Sequence, residues 1–226
     1  MIPLKDDNPT KTFPFFTILL ILINTGVFIY EMSLGMEGGR VFINQMGLIP
    51  SELLHGRHIF VKSSLPVYVN IVTSIFLHAS LMHLLGNMLY LWIFGNNIED
   101  YLGHTKFLLF YFACGILATI AHTLVNINSN IPVVGASGAI SGILGAYLLL
   151  YPRAKILVVL PIFIFLQFFK VPAMVVIGFW IVFQFLNGIT SLGVGAPQGI
   201  AWFAHIGGFI AGVVLIKTMK KRDTRR

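Results

Sequence analysis

Hydrophobic residues run along this chain in long blocks separated by short polar stretches, a pattern typical of membrane-spanning helices. A helix needs about 20 mostly apolar residues to cross a hydrocarbon core about 30 Å thick. Six blocks approach or reach that length, and their approximate bounds are residues 13–32, 80–98, 106–125, 137–151, 171–189 and 200–219. The pattern therefore predicts an all-α membrane protein with a bundle of six transmembrane helices.

Two further stretches carry apolar residues without the length or the pattern of a span. Residues 155–169 contain Pro161 and are too short to cross the membrane. We predict that they lie in the membrane plane or re-enter it, with a seventh span as the alternative. Residues 33–70 mix glycine, charged and apolar positions, so we expect this loop to lie partly in the membrane interface.

The composition excludes a soluble globular domain. Hydrophobic residues make up 57% of the chain and charged residues only 10%, with a mean hydropathy of +0.86. The single cysteine, Cys114, excludes an intrachain disulfide. The apolar block after Lys5 and Lys11 is too long for a signal peptide and lacks a small-residue cleavage site, so we expect it to be retained.

Basic residues are distributed unevenly between the two sides of the predicted bundle. With the N-terminus inside, the outer side holds only Arg40, Arg57 and Lys62. The inner side then holds Lys5, Lys11, Lys106, Arg153, Lys155, Lys170 and the basic residues from Lys217 onward. Because inner loops of membrane proteins carry an excess of Lys and Arg, this distribution predicts that both termini are cytoplasmic.

The net charge of +7 is concentrated at the C-terminus. In so apolar a protein, a basic tail indicates contact with lipid headgroups rather than with nucleic acid. We therefore divide the chain into an N-terminal cytoplasmic tail, 1–12, a helical membrane domain, 13–219, and a basic cytoplasmic tail, 220–226.

Four polar side chains fall at one depth inside the predicted spans. His83 and Asn87 lie on one face of the second span, Ser137 begins the fourth and His205 lies in the sixth. Helix rise places all four roughly 18 to 24 Å from the cytoplasmic border. Polar residues in the membrane are costly and usually mark a functional site, so we expect one near the outer face.

Pairs of glycines predict that the fourth and sixth spans touch. Gly138 and Gly142 follow Ser137, and Gly208 and Gly212 follow His205, both at the spacing that allows close backbone approach. Contact between these helices would bring the Ser137 hydroxyl within reach of the His205 imidazole, as a serine nucleophile needs. The alternative is that Ser137 only caps its helix.

The distribution of acidic residues limits the chemistry. No Asp or Glu occurs between Tyr101 and Arg222, so a serine–histidine dyad is expected rather than a triad. The same gap argues against a proton-coupled carrier and an aspartyl enzyme, and no HExxH motif supports a zinc protease. His55 and His58 are weak evidence for a metal site. We expect neither a metal nor a cofactor.

Three motifs together resemble the rhomboid family of intramembrane serine proteases over residues 13–219. They are His78-x4-His83-x3-Asn87, Gly135-Ala-Ser137-Gly138 and Ala204-His205-Ile-Gly207-Gly208. The resemblance implies a six-helix fold in which Ser137 is the nucleophile and His205 is its base. His83, Asn87 and the Ser137 backbone N–H would form the oxyanion hole. His78, Gly135, Gly138 and Gly208 would be structural residues near the site.

The resemblance also implies the partners and the location. Substrates would be transmembrane segments of other proteins, met within the lipid bilayer, and we expect a multi-pass protein of a bacterial inner membrane. Two positions depart from the family pattern. Val69-Asn70 stands where many members have a Trp-Arg pair in the first loop, and Ser141 stands where some have a tyrosine under the imidazole.

Two rival functions follow from the same residues. A non-catalytic rhomboid-like binder or chaperone usually lacks the serine or the histidine, whereas this chain has both. A small transporter is disfavoured because the spans hold few charges. His104 and His122 are read as packing or interface residues, and Trp180 and Trp202 as interfacial anchors.

Overall fold

The structure is a computed structural model that describes residues 2–59, 63, 65–162, 165–193 and 200–219. The predicted basic tail, 220–226, lies outside the described residues. The molecule is mostly helical, with α1 Phe15–Ser33, α2 Gly35–Met46, α3 Pro50–His55, α4 Asn70–Thr73, α5 Leu81–Tyr90, α6 Asn96–Leu102, α7 His104–Val125, α8 Ser137–Leu150, α9 Ala173–Thr190 and α10 Trp202–Thr218. Three strands complete it, β1 Ile2–Asp6, β2 Lys155–Ile162 and β3 Phe165–Pro172.

Five of the six predicted spans each match one helix, and the span 80–98 matches the helical run 81–102; all these ends lie within a few residues of the prediction. Among the described residues, α1, α7 and α9 are long and apolar enough to cross a membrane. Residues 67–76 and 81–102 together form a fourth candidate span, with a 77° bend between the two segments. The second segment contains a π-helical turn at Leu91–Gly95. The helices α8 and α10 are apolar but shorter. The six-span topology and the cytoplasmic termini stay predictions.

The shortest of the predicted spans, α8, lies at the centre of the molecule. Its residues from Gly138 to Tyr147 are buried, and it packs against α7 and α10. The glycine pairs make the contact with α10 close, as their spacing predicts: an added Cβ at Gly208 would collide with the carbonyl oxygen of Gly138, and one at Gly212 with that of Gly142.

A three-stranded antiparallel sheet departs from the all-α fold that the sequence predicts. Strand β2 pairs with β1 on one side and with β3 on the other. The strands of this sheet come from the N-terminal tail and from Lys155–Ile162 and Phe165–Pro172, and the placement of residues 155–169 in the membrane plane stays a prediction. The run from Lys155 to Leu160 is rich in β-branched residues that favour strands. Ile156 and Val158 are fully buried, so packing reinforces that preference.

Hydrogen bonds fasten the N-terminal strand to the helices. Asp6 Oδ2 accepts bonds from Asn97 Nδ2 and from the Tyr147 hydroxyl, both at 2.7 Å. Asn8 Nδ2 donates to Asn97 Oδ1 at 2.6 Å. The pKa of the Asp6 carboxyl is raised because burial disfavours its charge; the hydrogen bonds favour the ionised form but offset this effect only in part. The tail is thereby joined to α6 and to α8, the helix that begins at Ser137.

A carboxylate from α6 caps the first helix. Glu99, which is fully buried, accepts the backbone N–H groups of Phe16 and Thr17 at 2.9 and 2.8 Å, and the Thr17 hydroxyl at 2.7 Å. His104 Nδ1 lies 2.6 Å from the same carboxylate. The first N–H groups of a helix lack intrahelical acceptors and carry partial positive charge, so a carboxylate there is stabilising.

Replacing this carboxylate by an amide should destabilise the fold. In Glu99→Gln the amide NH2 faces groups that are themselves donors, so at least one N–H or hydroxyl is left without an acceptor. We expect a loss of roughly 2–4 kcal/mol in the free energy of unfolding, measured by thermal or denaturant unfolding in detergent. Glu37→Gln, at an exposed position of α2, is the matched control. Equal stability of both variants would contradict the capping role.

The first loop is ordered by an asparagine rather than by a Trp-Arg pair. It contains α2 and α3, and Asn70 lies fully buried beneath the end of α2. Asn70 Nδ2 donates to the carbonyl oxygens of Gly47 and Gln45 at 2.8 and 3.1 Å. Thr73 adds a bond to the Met46 carbonyl at 2.6 Å. Asn70, at the departure from the family pattern, therefore anchors this loop.

Candidate active site

The Ser137 hydroxyl lies beside the His205 imidazole. Ser137 is the first residue of α8, and no side chain caps that helix. Its Oγ is 2.8 Å from His205 Nε2 on α10, a distance set by the close contact of the two helices. The capping alternative for Ser137 is therefore wrong, because the hydroxyl faces another helix instead of its own N–H groups.

A glutamine that the sequence analysis did not single out holds the other side of the imidazole. Gln184 on α9 is 5% exposed, and its Oε1 lies 2.7 Å from His205 Nδ1. A carbonyl acceptor there requires the proton on Nδ1, so Nε2 presents its lone pair to the Ser137 hydroxyl. The signal that could have found Gln184 is its polarity within an otherwise apolar span.

Two tryptophans flank the imidazole. The ring centroids of Trp180 and Trp202 lie 5.9 and 6.4 Å from that of His205. The sequence predicts both to be interfacial anchors, whereas the structure places them against the site. Together with Gln184, they limit the orientations that the His205 ring can adopt.

His83 and Asn87 lie against the loop that leads into Ser137. Gly135 adopts a φ of 122°, which favours glycine. A Cβ added to it would lie 2.7 Å from His83 Cε1 and 3.5 Å from Asn87 Nδ2. Gly135 is therefore required both for the turn and for the approach of the two side chains.

Two donors near Ser137 have no partner within the described protein. Asn87 Nδ2 is buried without a hydrogen bond. The backbone N–H of Ser137 begins a helix and so has no intrahelical acceptor. A buried unpaired donor is costly. This pair of donors is therefore typical of a site that binds an oxygen atom of a ligand as hydrogen-bond acceptor.

Comparison with known proteins agrees with this geometry. The model of the Rhomboid domain matches residues 66–222, which is more than half of the chain. The chain belongs to the rhomboid family. The matched residues include Asn87, Ser137, Gln184 and His205.

Named relatives of this rhomboid come from several membranes. The chain is 32% identical over 167 residues to Rhomboid protein 1, mitochondrial, of Saccharomyces cerevisiae, covering 70% of the chain and 45% of that protein. It is 28% identical over 204 residues to Rhomboid-like protein 11, chloroplastic, of Arabidopsis thaliana, covering 89% and 64%. It is 45% identical over 78 residues to Rhomboid protease GluP of Bacillus subtilis, covering 34% and 15%.

The matches to these relatives cover only part of each protein. The chain spans less than two thirds of the length of each of these three relatives. One of them, GluP, is named as a rhomboid protease. The rhomboid family and the apolar helices support a membrane location. Because the relatives are mitochondrial, chloroplastic and bacterial, the bacterial inner membrane stays a prediction.

His78 and Ser141 each contact one member of this rhomboid site. The His78 ring is fully buried and packs edge-on against His83 at a centroid distance of 5.1 Å. Neither of its nitrogens has a hydrogen-bond partner among the described residues. The Ser141 hydroxyl donates to the Ser137 carbonyl at 2.6 Å. The ring contacts of His205 are thus made by Trp180 and Trp202 instead of by the side chain at 141.

Of the remaining histidines, His122 lies at the site, and His55, His58 and His104 lie elsewhere. His122 lines the cavity that contains Ser137 and His205, and its Nδ1 is buried without a hydrogen bond. His104 contacts Glu99, as described above. His55 Nδ1 lies 2.6 Å from the Ser51 carbonyl, and His58 contacts Glu52 and the Leu65 carbonyl. The ring contacts of His55 and His58 are thus with protein acceptors.

Proposed function

We propose that this rhomboid is an intramembrane serine endopeptidase with Ser137 as nucleophile and His205 as general base. The observation that carries the proposal is the line of hydrogen bonds from Ser137 Oγ through the imidazole to Gln184 Oε1, at 2.8 and 2.7 Å. A serine is a weak nucleophile unless an adjacent base takes its proton, and this arrangement supplies that base with the correct tautomer.

The reaction follows from these positions. Ser137 Oγ attacks a peptide carbonyl carbon while its proton passes to His205 Nε2. The tetrahedral intermediate collapses as His205 returns the proton to the leaving amine, and an acyl-enzyme on Ser137 remains. Water activated by the same imidazole then hydrolyses the ester.

The unpaired donors near Ser137 support an oxyanion hole. We assign this role to Asn87 Nδ2, the Ser137 backbone N–H and the His83 ring. Preorganised donors of this kind stabilise the negative charge that develops on the carbonyl oxygen, which is often the largest single contribution to catalysis. The contact of His83 and Asn87 with Gly135 keeps both side chains on the Ser137 side of α5.

A transmembrane segment of another protein is the substrate class that fits the cavity. The cavity has a volume of about 860 Å³ and is lined by residues of α5, α7, α8, α9 and α10. Two of its lining residues, Met82 and Phe183, are apolar and 76% and 49% exposed. A segment that arrives from the bilayer must unwind locally, since only an extended chain presents a carbonyl that is free to react.

A serine-directed fluorophosphonate tests this function without knowledge of the natural substrate. The purified protein should be labelled covalently at Ser137, and Ser137→Ala should not be labelled. The labelled peptide is identified by mass spectrometry. Failure of the folded protein to react, or labelling at another serine, would contradict the proposal.

Gln184 should act as a positioning residue for His205. Gln184→Leu removes the acceptor at Nδ1, so the imidazole gains rotational and tautomeric freedom. We expect kcat to fall by roughly 10- to 100-fold while KM changes little. Gln184→Glu keeps an acceptor at this position and should retain clearly more activity than Gln184→Leu.

Asn187→Leu provides the matched control for this prediction. Asn187 lies one turn further along α9, and its side chain bonds to the Phe183 carbonyl of its own helix at 2.7 Å. This variant should keep the kcat of the parent protein. Wild-type kcat in Gln184→Leu would show that the bond to His205 is not needed.

A further inference from the structure

Strand β3 exposes apolar side chains on both of its faces. Because side chains alternate along a strand, Phe165 and Phe169 lie on one face and Leu166 and Phe168 on the other. Their exposed fractions are 64%, 44%, 62% and 57%, in that order. Antiparallel strands that face water normally carry polar residues on the exposed side. The exposed surface of β3 therefore requires an apolar surrounding beyond the described part of the chain.

Basic side chains of the same β2–β3 hairpin lie at its other end. Lys155 and Lys170 belong to the strand pairs nearest α8 and α9, far from the turn of the hairpin. Both are exposed, as is Arg153 just before β2. Asp7, whose carboxylate accepts the Lys155 backbone N–H, is the acidic neighbour on the N-terminal side. The hairpin is thus predominantly cationic at its base and apolar toward its tip.

The apolar surface of β3 continues onto the helix that follows it. Helix α9 begins directly after β3 and is long and apolar enough to cross a membrane. Its exposed side chains include Met174, Val175, Phe179 and Val182, which are 50–66% exposed. In a membrane protein this surface of α9 faces lipid, so the adjoining strand begins at the border of the same lipid.

The open edge of the sheet limits how deep the hairpin can lie. In the strand order β1-β2-β3, one edge of β3 has no neighbouring strand among the described residues. Unpaired backbone N–H and C=O groups are not tolerated against hydrocarbon. They are tolerated at the boundary between headgroups and acyl chains, where water and headgroup oxygens satisfy them.

We propose that the β2–β3 hairpin docks on the surface of the membrane that holds the helices. The tip residues Phe165, Leu166, Phe168 and Phe169 enter the boundary between headgroups and acyl chains. Arg153, Lys155 and Lys170 contact anionic lipid headgroups, which basic residues near a membrane surface attract. The inference rests on the sheet and on membership of the rhomboid family, and it does not depend on catalysis.

Spin labels on the full chain in vesicles of phosphatidylcholine and phosphatidylglycerol test this placement. Phe168→Cys and, independently, Phe165→Cys are labelled, with the parent protein, whose Cys114 is buried, as the labelling blank. Phe179→Cys on α9 is the lipid-facing control, and Asn128→Cys, exposed in the polar turn between α7 and α8, is the aqueous control. The measured quantity is the ratio of collision rates with oxygen and with a water-soluble nickel chelate.

We expect ratios at positions 168 and 165 that are several-fold above the aqueous control and approach that of Phe179→Cys. Combining Arg153→Gln, Lys155→Gln and Lys170→Gln should lower the ratio at position 168. A ratio equal to that of the aqueous control would overturn the docking, and an unchanged ratio in the triple variant would overturn the contact with anionic headgroups. Dipolar broadening that disappears on dilution with unlabelled protein would instead identify a second copy of the chain as the occupant.

Discussion

Ser137→Ala and His205→Ala are each expected to lower kcat by roughly 10⁴- to 10⁶-fold. In the proposed mechanism the two side chains act as one unit, because the hydroxyl is nucleophilic only while Nε2, 2.8 Å away, accepts its proton. The double variant should therefore be hardly slower than either single variant. Cleavage of a fluorescent transmembrane substrate in proteoliposomes provides the measurement.

Ser141→Ala is the matched control for the loss of the hydroxyl. Ser141 lies one turn along α8, is fully buried and bonds to the Ser137 carbonyl, so this variant should keep most of the activity. Unfolding curves of all variants in detergent separate a catalytic defect from a loss of folded protein. Additive effects of Ser137→Ala and His205→Ala, or substantial turnover by either, would contradict the dyad.

Asn87→Ala is expected to lower kcat by roughly 10- to 1,000-fold with little change in KM. Asn87 Nδ2 is buried without a hydrogen bond, so in the proposed mechanism its hydrogen bond forms with the oxygen of the tetrahedral intermediate. An interaction made mainly in the transition state changes kcat rather than the affinity for substrate. Full kinetic curves are needed, since a single substrate concentration does not separate the two constants.

Asn44→Ala truncates an amide outside the cavity and serves as the control. Its Nδ2 bonds to the Arg40 carbonyl of its own helix at 2.8 Å, so both kinetic constants should stay unchanged. A defect of Asn87→Ala confined to KM would identify Asn87 as a substrate-binding or packing residue. The donor in the oxyanion hole would then have to be sought at His83 or at the Ser137 backbone.

Hydropathy and motif spacing alone predicted the helices and four members of the candidate site. A helix that crosses lipid must satisfy its backbone internally, so its apolar run is visible in the sequence without knowledge of its neighbours. The same restriction makes His83, Asn87, Ser137 and His205 conspicuous, because polar residues there are costly. The glycine pairs likewise predicted the contact of α8 with α10, since close approach depends on residues at a fixed spacing.

The sheet could not be predicted in this way. Strand β2 obtains its hydrogen bonds from Ile2–Asp6, about 150 residues away along the chain, and from β3. A strand is stabilised by hydrogen bonds to neighbouring strands, which its own sequence does not identify. By its hydrophobic pattern alone, the short apolar run at 155–169 is also compatible with a buried helix or a re-entrant segment. The pairing with the N-terminal tail leaves no trace in the local composition of either segment.

The surroundings of His205 depended on the tertiary structure for the same reason. Gln184, Trp180 and Trp202 contact the imidazole, yet nothing in the sequence of α9 indicates which helix its polar side chain faces. The sequence by itself determined the membrane class, the helices and the candidate serine–histidine pair, because these follow from local polarity and spacing. Only the tertiary structure decided what holds the imidazole, what anchors the first loop and where the N-terminus pairs, since each is a contact between residues distant in sequence.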